Sequence, residues 1–151
     1  MIAKEKVQSL TQEVLLVDQF IVDITVGAGN VILVLIDSDS GISVGECVEI
    51  SRHIEHSLDP EAEDFSLEVS SPGLSFPLKV VRQYLKNVER EVEVVTQSGD
   101  KQKGVLKSAD ITGFELEVIV KEKIEGKKVA TAKLIPYNYD QIKTVKIVIS
   151  F

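Results

Sequence analysis

The chain has 151 residues, 44% of them hydrophobic, and carries 24 Asp and Glu against 17 Lys and Arg, a formal net charge of −7. This composition is that of a folded protein, and the acidic balance argues against general coating of nucleic acids, which needs surplus cations to displace counterions, while leaving room for a local basic patch. A single cysteine, Cys47, excludes an intrachain disulfide and suits a reducing compartment. The longest apolar run, Val31 to Ile36, is far too short to cross a bilayer, and the first residues lack an apolar core of signal-peptide length. A cytoplasmic protein with no membrane partner is expected.

The first predicted element is a helix from about Ile2 to Val17, because Val7, Leu10, Val14 and Val17 recur at spacings of three and four. Residues 20–26 alternate and read as a strand. Gly27-Ala28-Gly29-Asn30 is a turn, and residues 31–36 are apolar on both faces, as in a strand central to its sheet or packed beneath helices. The two strands predict a hairpin. Ser43 followed by Glu46 predicts a capping box, and Cys47, Ile50, Ile54 and Leu58 predict the buried stripe of the helix it starts. Asp59-Pro60 ends that helix, since the residue before a proline is pushed out of the helical region. A strand over 64–69, with Phe65, Leu67 and Val69 on one face, completes an α-β-β-α-β unit of two helices on a three-stranded sheet.

Ser70-Ser71-Pro72-Gly73-Leu74 then stops the strand. Pro72 locks one φ, Gly73 is free to take φ > 0, and Pro77 stiffens the exit. The charge reverses here. Residues 1–77 hold 3 Lys and Arg against 14 Asp and Glu, and residues 78–151 hold 14 against 10, so that net −11 and +4 sum to −7. Two domains, 1–77 and 78–151, joined by a rigid elbow, are expected. Beyond the elbow, residues 78–86 predict a short helical turn. Five short strands follow: around Val92 and Val94, from Gly104, over 114–120, over 129–134, and around Val145, Ile147 and Ile149. Turns at 98–100, 110–113 and 125–127 separate the first four, and 135–140 forms a corner before the last. Such a series points to a small closed or nearly closed barrel.

The stretch Leu67-Glu68-Val69-Ser70-Ser71-Pro72-Gly73-Leu74, with Pro77-Leu78 after it, resembles the signature of the ribosome maturation factor RimP family. Supporting anchors are Gly29-Asn30 before residues 31–36 and Asp37, Gly41-Ile42 before residues 46–52, and the helix end at Leu58-Asp59. The resemblance covers essentially the whole chain. It implies an α+β protein whose C-terminal domain is an Sm-like or SH3-like β-barrel. It also implies a non-catalytic cytosolic factor that binds the immature small (30S) ribosomal subunit, through ribosomal protein with ribosomal RNA left open as a second contact, and assists its assembly. The chain departs from the family in one place: Ser75 and Phe76 stand where members usually carry an acid-arginine pair, so no role of that arginine carries over.

Other chemistry has weaker support. Glu49, His53 and His56 lie on one side of the second helix, but without an H-E-x-x-H pattern or a second ligand cluster they read as a solvated face, and no metal or other cofactor is expected. Residues 37–41 resemble the start of a calcium loop, yet its sixth and twelfth positions are Ile42 and Val48 instead of glycine and glutamate. Gly27-Ala28-Gly29 is a hairpin turn and not a phosphate loop. Cys47 falls on the apolar stripe as a packed thiol, and the Ser70 and Ser71 hydroxyls are expected to bond nearby backbone. No catalytic constellation emerges, so an enzyme is not expected.

Lys101, Lys103 and Lys107 cluster at one hairpin, and Lys121, Lys123, Lys127 and Lys128 at another. They are candidate phosphate contacts, with solubilising loop tips as the plainer reading. Few aromatics are free for base stacking, since Phe114 and Phe151 read as core. The elbow residues Ser71, Pro72, Gly73, Leu74 and Pro77 are the candidate docking residues. The expected molecule is a monomer with no DNA partner; the alternative is a general RNA-binding barrel unconnected with ribosomes.

Overall fold

A computed structural model describes residues 1–59 and 61–149. Pro60, expected at a helix end, and Phe151, expected in the core, lie outside the described residues. Backbone contacts divide the chain into two compact units between Gly73 and Leu74.

The N-terminal unit runs α1 (Lys4–Gln12), β1 (Gln19–Gly27), β2 (Val31–Ser38), α2 (Val44–Ser57) and β3 (Ser66–Ser70). Its sheet has the order β1-β2-β3. β1 and β2 form an antiparallel hairpin, β2 and β3 pair in parallel, and β2 is central as its two-sided apolar run requires. Ile24, Ile32, Val34 and Ile36 of the sheet meet Val7 of α1 and Ile50, Ile54 and Leu58 around α2 in one aliphatic core, against which Phe65, Leu67 and Val69 pack.

α2 begins where its capping box places it. The Ser43 hydroxyl accepts from the Glu46 N–H at 3.1 Å, and the Glu46 carboxylate accepts from the Ser43 N–H at 3.2 Å. α1 is shorter than its periodicity indicates. The buried Thr11 hydroxyl donates to the Val7 carbonyl, a local bond that competes with continued helix, and the helix ends at Gln12. Val14 and Leu15 still pack against the core from an irregular segment, but Val17, expected on the buried stripe, is 97% exposed.

The C-terminal unit runs α3 (Val81–Lys86), β4 (Glu91–Thr96), β5 (Lys101–Ala109), β6 (Gly113–Ile124), β7 (Lys127–Asn138), a 3-10 turn (Tyr139–Gln141) and β8 (Ile142–Ile147). Ile149, expected in the last strand, lies beyond it. The five strands make one antiparallel sheet, β7-β6-β5-β4-β8. The ladders among the described residues stop at β7 and β8 and do not close into a barrel, which corrects the expectation of a closed one. The core is built from Val92, Val94, Leu106, Leu116 and Val145 with the rings of Tyr84 and Phe114. Tyr84 and Phe114 stack with centroids 5.3 Å apart, and Tyr139 lies 5.1 Å from Tyr84.

Candidate functional site

The segment after β3 is irregular. Ser70 donates from its hydroxyl to the Ser71 carbonyl at 2.9 Å, the local bond expected of a turn serine. Leu74 is 62% exposed. Gly73, free to take a positive φ after Pro72, does not adopt one, and a Cβ built on it would meet nothing within 4 Å. Glycine is therefore not required at this position by backbone conformation or by space.

Asn30 is the residue whose long-range partners the sequence did not reveal. It holds φ 57° at the end of the β1–β2 turn. Its side-chain carbonyl accepts from the Ile2 N–H at 2.8 Å, its amide donates to the Asp64 carbonyl at 2.9 Å, and its own carbonyl accepts from the Ser66 N–H. One side chain thus ties the start of the chain, a hairpin and the entry to β3. In the sequence Gly29-Asn30 stands out as an anchor of the family resemblance and as a turn position that tolerates the left-handed region, but not as a tie between distant segments.

The histidines of α2 do not converge with Glu49. His53 Nε2 lies 3.0 Å from the Glu13 carboxylate. Among the described residues, no group of three or more His, Cys, Asp and Glu side chains is placed to hold a metal ion. Ser38 and Ser40 of the would-be calcium loop donate to the Asp18 carboxylate at 3.0 Å each. Cys47 is buried, and that burial pushes its thiol pKa up, so it is a poor nucleophile.

Strand register sorts the seven candidate lysines. Lys103 sits directly across from Glu93 of β4, which Lys146 of β8 faces from the other side. Lys107 Nζ lies 3.0 Å from Glu89 and 3.9 Å from Glu117, and the hydrogen bond to Glu89 holds its pKa above the ordinary value. Lys107 is therefore spent within the protein. Lys101 lies across from Val95.

The remaining four belong to a long ribbon. β6 and β7 pair from Gly113↔Asn138 to Ile124↔Lys127, closed by Glu125 and Gly126 at φ 53° and 79°. Two consecutive positive φ values match the twist of a two-residue hairpin, and glycine supplies the second at no steric cost. Directly paired residues share a face. Phe114, Leu116 and Val118 define the core face, so Lys127 and Lys133 fall on that side, where Lys133 pairs with Glu122 at 3.2 Å. Lys121, Lys123 and Lys128 fall on the other side. They enter no ion pair among the described residues.

The comparisons with known proteins agree with one another. The RimP N-terminal domain family matches residues 5–75. Ribosome maturation factor RimP of Christiangramia forsetii is 41% identical over 152 residues, covering 98% of this chain and 99% of that protein. Ribosome maturation factor RimP of Porphyromonas gingivalis is 39% identical, covering 85% of each chain. That of Flavobacterium psychrophilum is 42% identical over 62% of each. With similarity of this depth over nearly its whole length, on an α+β frame carrying the Ser-Ser-Pro-Gly-Leu signature, the chain belongs to the ribosome maturation factor RimP family.

Proposed function

We propose that this protein docks transiently on the immature small ribosomal subunit and assists its assembly without catalysing a reaction. The observation that carries the reading is the near-full-length similarity to proteins named ribosome maturation factor. The division of charge fits it. An N-terminal half with 3 basic and 14 acidic residues complements basic ribosomal protein, while the lysine-bearing C-terminal half can meet ribosomal RNA or a further ribosomal protein. Such complementarity speeds encounter without demanding great affinity, which suits a factor that must leave.

In this reading the functional domains are 1–77 and 78–151. Ser71, Pro72, Gly73, Leu74 and Pro77 form the elbow that presents them, and the protein works as a cytoplasmic monomer without DNA, membrane or cofactor. Among the described residues no helix is long and apolar enough to cross a membrane. The C-terminal unit takes the Sm-like or SH3-like form, a sheet curled on itself and not hydrogen-bonded shut. Two observations support that form. The last strand lies beside the first in the sheet, and Thr96 at the end of β4, with Gln97, Ser98 and Asp100 of the turn after it, lines one pocket with Pro136 and Tyr137 near the far end of β7.

The test is sedimentation with immature small subunits across a salt series. Co-sedimentation at low salt that weakens as salt rises is expected. Absence of association at low salt would overturn the reading, and equally tight binding to unrelated RNA would make the protein a general RNA binder.

A further inference from the structure

The β6–β7 ribbon outgrows the sheet it belongs to. The pairing of β5 with β6 reaches only Val105↔Glu117, whereas β6 and β7 continue to Ile124↔Lys127. The seven residues from Val118 to Ile124 therefore form, with their partners, a two-stranded arm roughly 23 Å long at the rise of a β-strand. Nearly all of its side chains are exposed, including Ile119 at 59%.

The arm's two faces differ in charge. On the core side, Lys133 is paired with Glu122, and Ile124, Val129 and Val120 continue the apolar row of the sheet. On the outer side, the successive pairs toward the tip are Ile119 with Ala132, Lys121 with Ala130, and Lys123 with Lys128. That side ends in three ammonium groups with no carboxylate among these pairs, on side chains long enough to move. No aromatic ring lies on the arm.

From this arrangement we propose that the outer face of the arm is a contact surface for the phosphodiester backbone of RNA, carried by Lys121, Lys123 and Lys128. Lysine ammonium groups act as mobile point charges and meet phosphate without fixed geometry. The absence of aromatics removes base stacking, so the contact positions RNA and does not read its sequence. The choice of RNA over an acidic peptide rests on the ribosomal reading above, in which the dense anionic polymer at hand is ribosomal RNA. Lys103 and Lys107 are excluded because carboxylates of the sheet already face them.

The experiment measures binding of the full chain to a labelled single-stranded RNA of mixed sequence against the logarithm of salt concentration. The Lys121→Gln, Lys123→Gln, Lys128→Gln triple variant is compared with Lys4→Gln, Lys143→Gln, Lys146→Gln, which removes the same charge elsewhere. Loss of three phosphate contacts reduces the slope by about 2, and the control triple leaves it near the parent value. An unchanged slope in the arm variant overturns the proposal. Three further results also overturn it: equal reduction in both triples, which makes the effect one of net charge; self-association of the arm variant with its slope retained, which makes the lysines edge guards; and stronger lysine-dependent binding to a poly-glutamate peptide than to RNA. Circular dichroism confirms that both variants are folded. Co-sedimentation with immature small subunits, measured in parallel, separates the two claims, since particle binding can survive while the RNA slope does not respond.

Discussion

The two units solve the same problem with different materials. In the N-terminal unit, α1 and α2 lay aliphatic side chains over one face of a three-stranded sheet; the main buried cluster is wholly aliphatic, and Phe20 of β1 is the unit's buried ring outside that cluster. The C-terminal unit has one six-residue helix for five strands. It fills its interior with Tyr84 from that helix, stacked on Phe114, with Tyr137 and Tyr139 packed beside them. A sheet with little helix to cover it needs bulkier groups per position, and aromatic rings supply the most buried area for each residue fixed. The charge division follows the same boundary, so each unit has its own chemistry inside and out.

The sharpest way to break this comparison is to damage one core at a time. Ile54 and Leu116 are fully buried, one in each unit. Ile54→Ala and Leu116→Ala should each cost about 2–5 kcal/mol, the sum of lost transfer energy and the cavity left behind. Hydrogen exchange resolved by residue is the measurement. The loss is expected to concentrate in the mutated unit, and protection falling equally across residues 1–73 and 74–149 in both variants would show that the two cores are not separate.

A second prediction uses the rings. All three tyrosines, Tyr84, Tyr137 and Tyr139, lie in the C-terminal unit, and burial pushes each phenol above its ordinary pKa, with neighbouring Tyr139, Asp100 and Asp110 adding to the respective shifts. An acid whose folded-state pKa is raised contributes nothing adverse while it stays neutral. Its cost appears once the unfolded chain can ionise, so stability is intact below about pH 10 and falls as pH rises above that value. The C-terminal unit should therefore lose stability in alkali. The N-terminal counterpart is Cys47, whose buried thiol is also pushed up, and Cys47→Ala removes it. In that variant, denaturation at neutral and alkaline pH should separate the units, with the N-terminal one nearly unaffected.

The helix start of α2 is the part of the site-bearing frame that the sequence states most directly, because a capping box is a contact between residues three apart. Ser43→Ala should cost about 1 kcal/mol, read as a shift in the chemical denaturation midpoint of the N-terminal unit, and Ser43→Gly less. Apolar stripes and alternation were legible for the same local reason. What failed was whatever depends on partners far along the chain. β6 and β7 read as strands of six or seven residues because Lys121–Lys128 shows no apolar alternation. Yet each strand is 12 residues long, since the β6–β7 pairing carries both strands on past the rest of the sheet, where most side chains are solvated and apolar alternation is not needed. The lysines were visible as a cluster, but which of them share a face follows from the register fixed by Glu125-Gly126. The lysines neutralised inside the sheet follow from neighbours such as Glu89, eighteen residues before Lys107. Asn30 was hidden similarly, its partners being Ile2 and Asp64.

The smallest effect expected is at Gly73, where sequence and structure part most clearly. A proline followed by glycine invites the inference of a left-handed turn, and a β-branched residue would be strained there by the clash of its Cβ with the backbone. The observed φ is not positive, and the space around a new Cβ is empty, so neither cost applies. Gly73→Val should change stability by less than about 0.5 kcal/mol, the ordinary range for an exposed position, with a slight gain available from a less flexible unfolded chain. If Gly73→Val folds normally but sediments less with immature small subunits, the junction acts through its surface or its pliancy and not through a special backbone conformation. A loss of stability above 1 kcal/mol would mean that the glycine does visit positive φ, and the boundary between the units would again be a conformational constraint as well as a change of charge.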